Sequence, residues 1–267
     1  MTGIEIFSTA IIIVLIAYII YEYFQLRCRK YVRIKTGMGL NLKAIAFTDL
    51  HNNALTKRDL KKIREEKPDM ILIGGDIITA SSPDHQNAKK AFLQLSEIAD
   101  VYFSLGNHEL RYREVYEKEW KELLSALPSS CHVLDDSHLS FNDQLEIYGI
   151  SLRKEHYKKG RAYDMSKENT DIFIDVPENK KSLLLAHNPD FYGYYNKVLK
   201  PDLIISGHLH GGFVRIPGFG GIVYSTYGVK HRDRGFYAGN QLVSSGAGEH
   251  LLPLRLFNRC EIDIIEL

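Results

Sequence analysis

Five apolar runs in this chain stop at the same kind of residue. "LKAIAF" runs into Asp49 and His51, "DMILIGG" into Asp76, "VYFSLG" into Asn107, His108 and Glu109, "SLLLA" into His187, and "LIISG" into His208 and His210. Short runs of Val, Ile, Leu and Phe bounded by Gly, Asp and Asn read as strands buried on both faces. Between the early runs lie amphipathic stretches. "TKRDLKKIREEK" reads as a helix with Thr56 as its N-cap, "QNAKKAFLQLSEIA" as a second, and "REVYEKEWKELLSAL" as a third that Pro128 stops. Strand–helix repetition at about 30 residues per unit is the pattern of α/β architecture.

The second half is richer in strands. "HLSFNDQLEIYGI" reads as a hairpin turning at Asn142 and Asp143. The charged stretch from Arg153 to Asp171 reads as a surface excursion, and a helix is expected near Asp190 to Leu199. "IVYSTYG", "GFYAGNQLVSSG" and "CEIDIIEL" read as closing strands. Alternation followed by meandering strands predicts two packed sheets with helices outside, rather than one doubly wound sheet.

The polar residues at the strand ends form a coherent donor set. Asp oxygens, an Asn carbonyl and neutral imidazoles suit Mn, Fe, Zn or Co, and are too rich in nitrogen for Ca or Mg. Asp49 and His51 are two apart, so in extended chain they share a face, as do His208 and His210. Each motif alone is weak. Gly-Gly-Asp makes ordinary turns, Asn107 can cap a helix, and a lone His187 after a strand is more often structural. Together, seven donors (Asp49, His51, Asp76, Asn107, His187, His208, His210) exceed what one four- to six-coordinate ion takes. Two ions sharing a carboxylate, about 3.5–4 Å apart, is the natural solution.

Composition excludes other classes. A net charge of +1 over 267 residues gives no reason to expect nucleic acid. Three scattered cysteines (Cys28, Cys131, Cys260) make neither a disulfide framework nor a thiolate metal site. The N-terminus departs from the average: "IFSTAIIIVLIAYIIY", Ile6 to Tyr21, carries no charge and almost no polar face. With Tyr23, Phe24 and Leu26 extending it, this predicts a membrane anchor over 1–26. Arg27, Arg29, Lys30, Arg33 and Lys35 follow, predicting a basic juxtamembrane linker over 27–41 and a folded domain over 42–267. Basic flanks stay on the cytoplasmic side, so a single-pass protein of the cell membrane with its domain in the cytoplasm is expected.

In their order, Asp49-x-His51, Gly75-Asp76, Gly106-Asn107-His108-Glu109, His187 and Gly207-His208-x-His210 resemble the calcineurin-like metallophosphoesterase family. The closing "SSGAGEHLLPLRLFNRCEIDIIEL" is similar to its membrane-associated bacterial branch of phosphodiesterases and phosphohydrolases. The resemblance implies a four-layer α/β/β/α sandwich. It implies one divalent transition-metal ion on Asp49, His51, Asp76 and His210, and a second on Asp76, Asn107, His187 and His208, bridged by Asp76. His108 matches a histidine that binds the phosphate or protonates the leaving oxygen, with Asp49 as its expected orienting carboxylate. The implied activity is hydrolysis of a phosphodiester or pyrophosphate by attack of a hydroxide bridging the ions, on a small-molecule or lipid-linked phosphate ester. A non-catalytic scaffold at the membrane and a phosphomonoesterase or protein phosphatase are the alternatives. Phe213 stands where that branch is expected to have Gln, and Cys260 where Pro is expected. Arg215 is a candidate for holding the substrate phosphate, or a surface salt bridge.

Overall fold

The alternation of side chains along the central strands decides the layering. The computed structural model describes residues 2–26, 28–157, 179–212, 214–216, 218–223, 232–249 and 255–267. β1 (Lys30–Lys35), β2 (Lys43–Phe47), β3 (Met70–Gly74), β4 (Asp100–Ser104), β5 (Cys131–Leu134) and β14 (Glu261–Glu266) form one sheet in the order β1-β14-β2-β3-β4-β5. The second sheet contains β6 (Ser137–Ser140), β7 (Leu145–Ile150), β8 (Lys181–Ala186), β9 (Leu203–Ser206), β12 (Gly235–Tyr237) and β13 (Gln241–Val243), in the order β12-β13-β9-β8-β7-β6. β10 (Val214–Ile216) and β11 (Gly220–Val223) make a separate hairpin.

On β2, Ile45 and Phe47 face outward, into a core shared with Leu60 and Ile63 of α2 (Lys57–Glu66) and Phe92 and Leu95 of α3 (Gln86–Ser96). Ala44 and Ala46 face the other way and meet Leu183, Leu185, Leu203 and Ile205 of the second sheet. That sheet's far face packs Leu184 and Ile204 under Tyr195 and Leu199. The layers are therefore α/β/β/α, and period-two strands between two apolar faces are what produce them.

Local signals fix several ends. Thr56 caps α2, accepting from the Asp59 N–H at 3.1 Å while Asp59 accepts from the Thr56 N–H at 2.9 Å. Asn142 Oδ1 accepts from the Gln144 and Leu145 N–H groups and closes the β6–β7 hairpin. The single helix expected over Arg113–Leu127 is two, α4 (Asn107–Val115) and α5 (Glu117–Ser125). They break at Tyr116, whose backbone leaves the helical region at φ −126°, ψ 55° and whose ring packs on Tyr112.

α1 (Gly3–Leu26) carries the apolar run, and its Gly3–Tyr21 stretch, long and apolar enough to cross a membrane, has a mean hydropathy of 2.4 and none of it buried. The basic segment after it is no linker. Lys30 to Lys35 is strand β1, paired parallel with β14 from Lys30–Glu261 to Lys35–Glu266. Arg29 reaches Asp59 at 2.6 Å, Tyr31 Oη donates to Asp59 at 2.8 Å, and Arg33 reaches Glu66 at 2.7 Å. The charges that read as solvated instead tie this strand to α2. Phe213 and most of the excursion after Arg153 lie outside the described residues.

These pairs make the edge strand sensitive to acid. Burial works to raise Asp59 and Glu66, but Arg29 and the Thr56 groups hold Asp59 below its ordinary 3.8, and Arg33 and Lys62 hold Glu66 below its ordinary 4.5. Depressed carboxyls give stability that is present above those ordinary values and lost as pH falls through the folded ones. Asp59→Asn should cost about 3 kcal/mol at pH 7 by stranding Arg29. Thermal unfolding should show the gap to wild type closing below about pH 4. A gap unchanged at acid pH would mean that the charge pair is not its source.

Candidate metal centre

The predicted donors come together at the carboxyl ends of both sheets, where α/β folds assemble their sites. Asp49 and His51 follow β2, Asp76 follows β3, Asn107 and His108 open α4 after β4, His187 follows β8, and His208 and His210 follow β9. The loops after β2 and β3 stay laced together by Asp49 N–H to Gly75 O at 3.0 Å and His51 N–H to Asp76 O at 2.9 Å. Asp49, His51, Asp76, His208 and His210 all hold left-handed backbone, with φ between 48° and 68°. Such conformations are costly for side chains larger than Gly, and concentrate where a site needs them. A Cβ on Gly207 would strike the Asp49 carboxylate, so only Gly lets β9 pass that close.

Two donor triads result. In the first, the ligand atoms of Asp49, His51 and His210 lie within 4.8 Å of one another; in the second, those of Asp76, His187 and His208 do. A third overlapping triad, His51, Asp76 and His108, ties the two together, sharing His51 with the first and Asp76 with the second. His187 Nε2 stands 3.0 Å from Asp76 Oδ2 and 3.7 Å from Asp49 Oδ1, and the Nε2 atoms of His51 and His210 face each other at 3.3 Å. Asp49 also accepts the His208 N–H, and Asp76 the His108 N–H at 2.8 Å.

The chemistry of this set fits cations. Asn107 Oδ1 is buried and accepts no hydrogen bond among the described residues, an arrangement that costs stability unless something positive fills it. His187 Nδ1 sits 2.8 Å from the Gly74 carbonyl, which fixes its proton there and aims the Nε2 lone pair at the carboxylates. Burial pushes Asp49 up, with the charge of Asp76 adding to it. Burial works to raise Asp76 too, but the imidazoles of His187, His108 and His51 hold it well below the carboxylate range. Burial works against charge on His187, yet Asp76 and Asp49 raise it to about 10. Two buried carboxylates thus draw a proton onto a buried imidazole, and a divalent cation satisfies the same field better.

Three residues matter here that the strand-end pattern did not assign. Glu109, fully buried, accepts the N–H groups of Asp76 and Gly106 at 2.8 Å each and that of Ile78 at 3.0 Å, fastening the β3 loop to the start of α4. Burial and the charge of Asp76 push it up to about 7. Arg255, 1 % exposed, donates to Ser245 O at 2.6 Å and sits 2.8 Å from His210 Nδ1. A guanidinium only donates, so His210 Nδ1 accepts and the neutral ring carries its proton on Nε2, opposite to His187. Asn258 Nδ2 donates to His210 O at 2.6 Å. A cation and an amide inside the apolar "LPLRLFN" were the available signal.

One expectation is corrected, and of the two readings of Arg215 the salt bridge is the one observed. His108 Nδ1 accepts the Ala80 N–H at 3.0 Å, so the ring is oriented by backbone on that side and cannot donate from Nδ1 to Asp49. Arg215 donates to Asp233 at 2.7 Å and to the Gly211 carbonyl, and lines a cavity with Lys30 and Arg234 that contains none of the seven donors.

A profile of the calcineurin-like phosphoesterase family matches residues 42–212. An uncharacterized metallophosphoesterase of Aquifex aeolicus is 26% identical over 268 residues, covering 96% of this chain and 97% of that one. One from Campylobacter jejuni is 28% identical over 242 residues, covering 85% of this chain but 59% of its own length. A Danio rerio protein named as a transmembrane protein with a metallophosphoesterase domain is 25% identical, covering 85% of this chain and 53% of its own. The profile spans both triads, from Asp49 to His210, and with that match the chain belongs to the calcineurin-like phosphoesterase family.

Proposed function

We propose that the protein is a dimetal phosphohydrolase that cleaves phosphodiester or pyrophosphate bonds, held at the cell membrane by α1 with its catalytic domain on the cytoplasmic side. The observation that carries this reading is the pair of donor triads linked by a third, which shares His51 with one and Asp76 with the other. Asp49, His51, Asp76 and His210 would hold one divalent cation, and Asp76, Asn107, His187 and His208 the other. When bound, such ions supply Lewis-acid stabilisation of phosphoryl charge and activate water.

The chain's own residues do the rest. Glu109 keeps Asp76 and the start of α4 in register by accepting their N–H groups. Accepting from Ala80 leaves His108 with its proton on Nε2 in the neutral ring, and its ring meets His51 edge to face at 4.7 Å between centroids. A proton held there, beside the cluster, is placed for transfer to a departing alkoxide.

With Mn added, the purified full chain should hydrolyse bis-nitrophenyl phosphate faster than the corresponding monoester. A preference for the monoester would favour the phosphomonoesterase reading, and no turnover of either, with metal bound, the scaffold. The membrane reading is supported by the apolar span and its basic flank. A Lys118→Cys reporter on exposed α5 should resist an impermeant maleimide in intact cells and react after permeabilisation. Labelling before permeabilisation would reverse the orientation.

A further inference from the structure

Away from the metal centre, the exposed apolar side chains are not scattered. Among the described residues outside α1, four of the seven exposed large hydrophobics are Ile216 (44 %), Phe219 (89 %), Ile222 (53 %) and Phe257 (52 %). Three of these belong to the β10–β11 hairpin, with Phe219 at its turn. The fourth, Phe257, packs on Tyr18 of α1, with ring centroids 5.3 Å apart. Tyr18 lies inside the apolar span, so this face of the domain sits at the level where that span ends.

The same face carries charge. A cavity of about 450 Å³ is lined by Lys30, Arg215, Arg234 and Arg259, with Ile216 and Phe257 at its wall. Lys30 and Arg234 share one carboxylate, Glu261, and Arg215 holds Asp233. Arg259 donates to the Cys28 carbonyl, just past the end of α1, and among the described residues no carboxylate pairs with it. Its Nε is buried with no hydrogen-bond partner among those residues. Four cations against two carboxylates leave a positive cavity whose rim is apolar and whose floor adjoins a membrane span.

We propose that this face docks on the bilayer, with the cavity gripping the phosphate of an anionic phospholipid headgroup and Phe219 entering the interface beside it. The proposal rests on the membrane reading of α1 given above. Aromatic and aliphatic side chains favour the headgroup boundary, and basic pockets beside a span favour anionic headgroups. Val214 begins two residues after Gly212, so the hairpin continues the loop that carries His208 and His210. Seating the hairpin therefore sets the height and tilt of the metal centre over the membrane, which suits a phosphate ester presented at the bilayer surface.

The test uses the full chain carrying Phe219→Trp, in nanodiscs of phosphatidylcholine alone or mixed with phosphatidylglycerol, each containing brominated phosphatidylcholine as quencher. Trp120 is buried in the domain core and gives a constant background, measured on the wild type. The introduced indole should be quenched more strongly in the mixed discs. Arg259→Gln, and separately Lys30→Gln, should weaken that docking about fivefold each. Thermal unfolding of each variant separates loss of lipid from loss of fold. Equal quenching in both lipids, or quenching indifferent to both folded variants, would overturn the headgroup cavity. An unquenched indole on a chain still held by the discs would overturn the docking face. A chain retained by neither disc would overturn the membrane reading itself, and the proposal with it.

Discussion

An Asp76→Asn chain should hold less than its full complement of divalent metal and lose turnover by more than about 100-fold. That figure is the upper end of what removing a mere partner of a metal ligand costs, and in the proposed centre Asp76 would serve both ions. It is the residue common to the second triad and to the one that reaches His51. Its carboxylate is held well below the ordinary range, so it is fully charged at neutral pH, and the amide that replaces it brings no charge. The fold should survive, because Glu109 holds this loop through the backbone N–H of Asp76, which the substitution keeps. Elemental analysis, turnover and thermal unfolding on one preparation check all three. Full metal with normal turnover would remove Asp76 from its bridging position.

His108→Ala should leave the metal in place and reduce turnover by about 10²- to 10⁴-fold on esters with poor leaving groups, the usual contribution of a positioned acid. On a nitrophenyl ester, whose leaving group needs little protonation, the loss should be far smaller. The geometry behind this is the Ala80 N–H donating to Nδ1, which leaves the ring proton on Nε2. Equal slowing of both esters would make His108 a phosphate binder. Loss of metal would make it a ligand, a role its place in the triad with His51 and Asp76 makes worth measuring.

The strand ends were legible because burial on both faces leaves a chemical signature in a single run, and polar residues interrupt it abruptly. All seven predicted donors stand where parallel strands end, and Thr56 and Asn142 act through hydrogen bonds to residues two or three positions away. What failed to read were partnerships distant in sequence. Arg29 and Arg33 look like solvated juxtamembrane charge until Asp59 and Glu66 of α2 are placed against them. That pairing turns an expected linker into β1 at the sheet edge. Arg255 looks like a surface residue, yet it lies fully inside, against a histidine 45 positions away. The α4–α5 break turns on one residue's backbone, which periodicity over a longer window averages out.

Metal titration of the chelated full chain, with diester hydrolysis followed at each addition, tests the central claim most directly. The chelated chain should be inactive, and turnover should return only as a second equivalent of a divalent transition metal binds. Full turnover in the chelated chain, or its return with a single equivalent and no further binding, would contradict a dimetal centre built on Asp76.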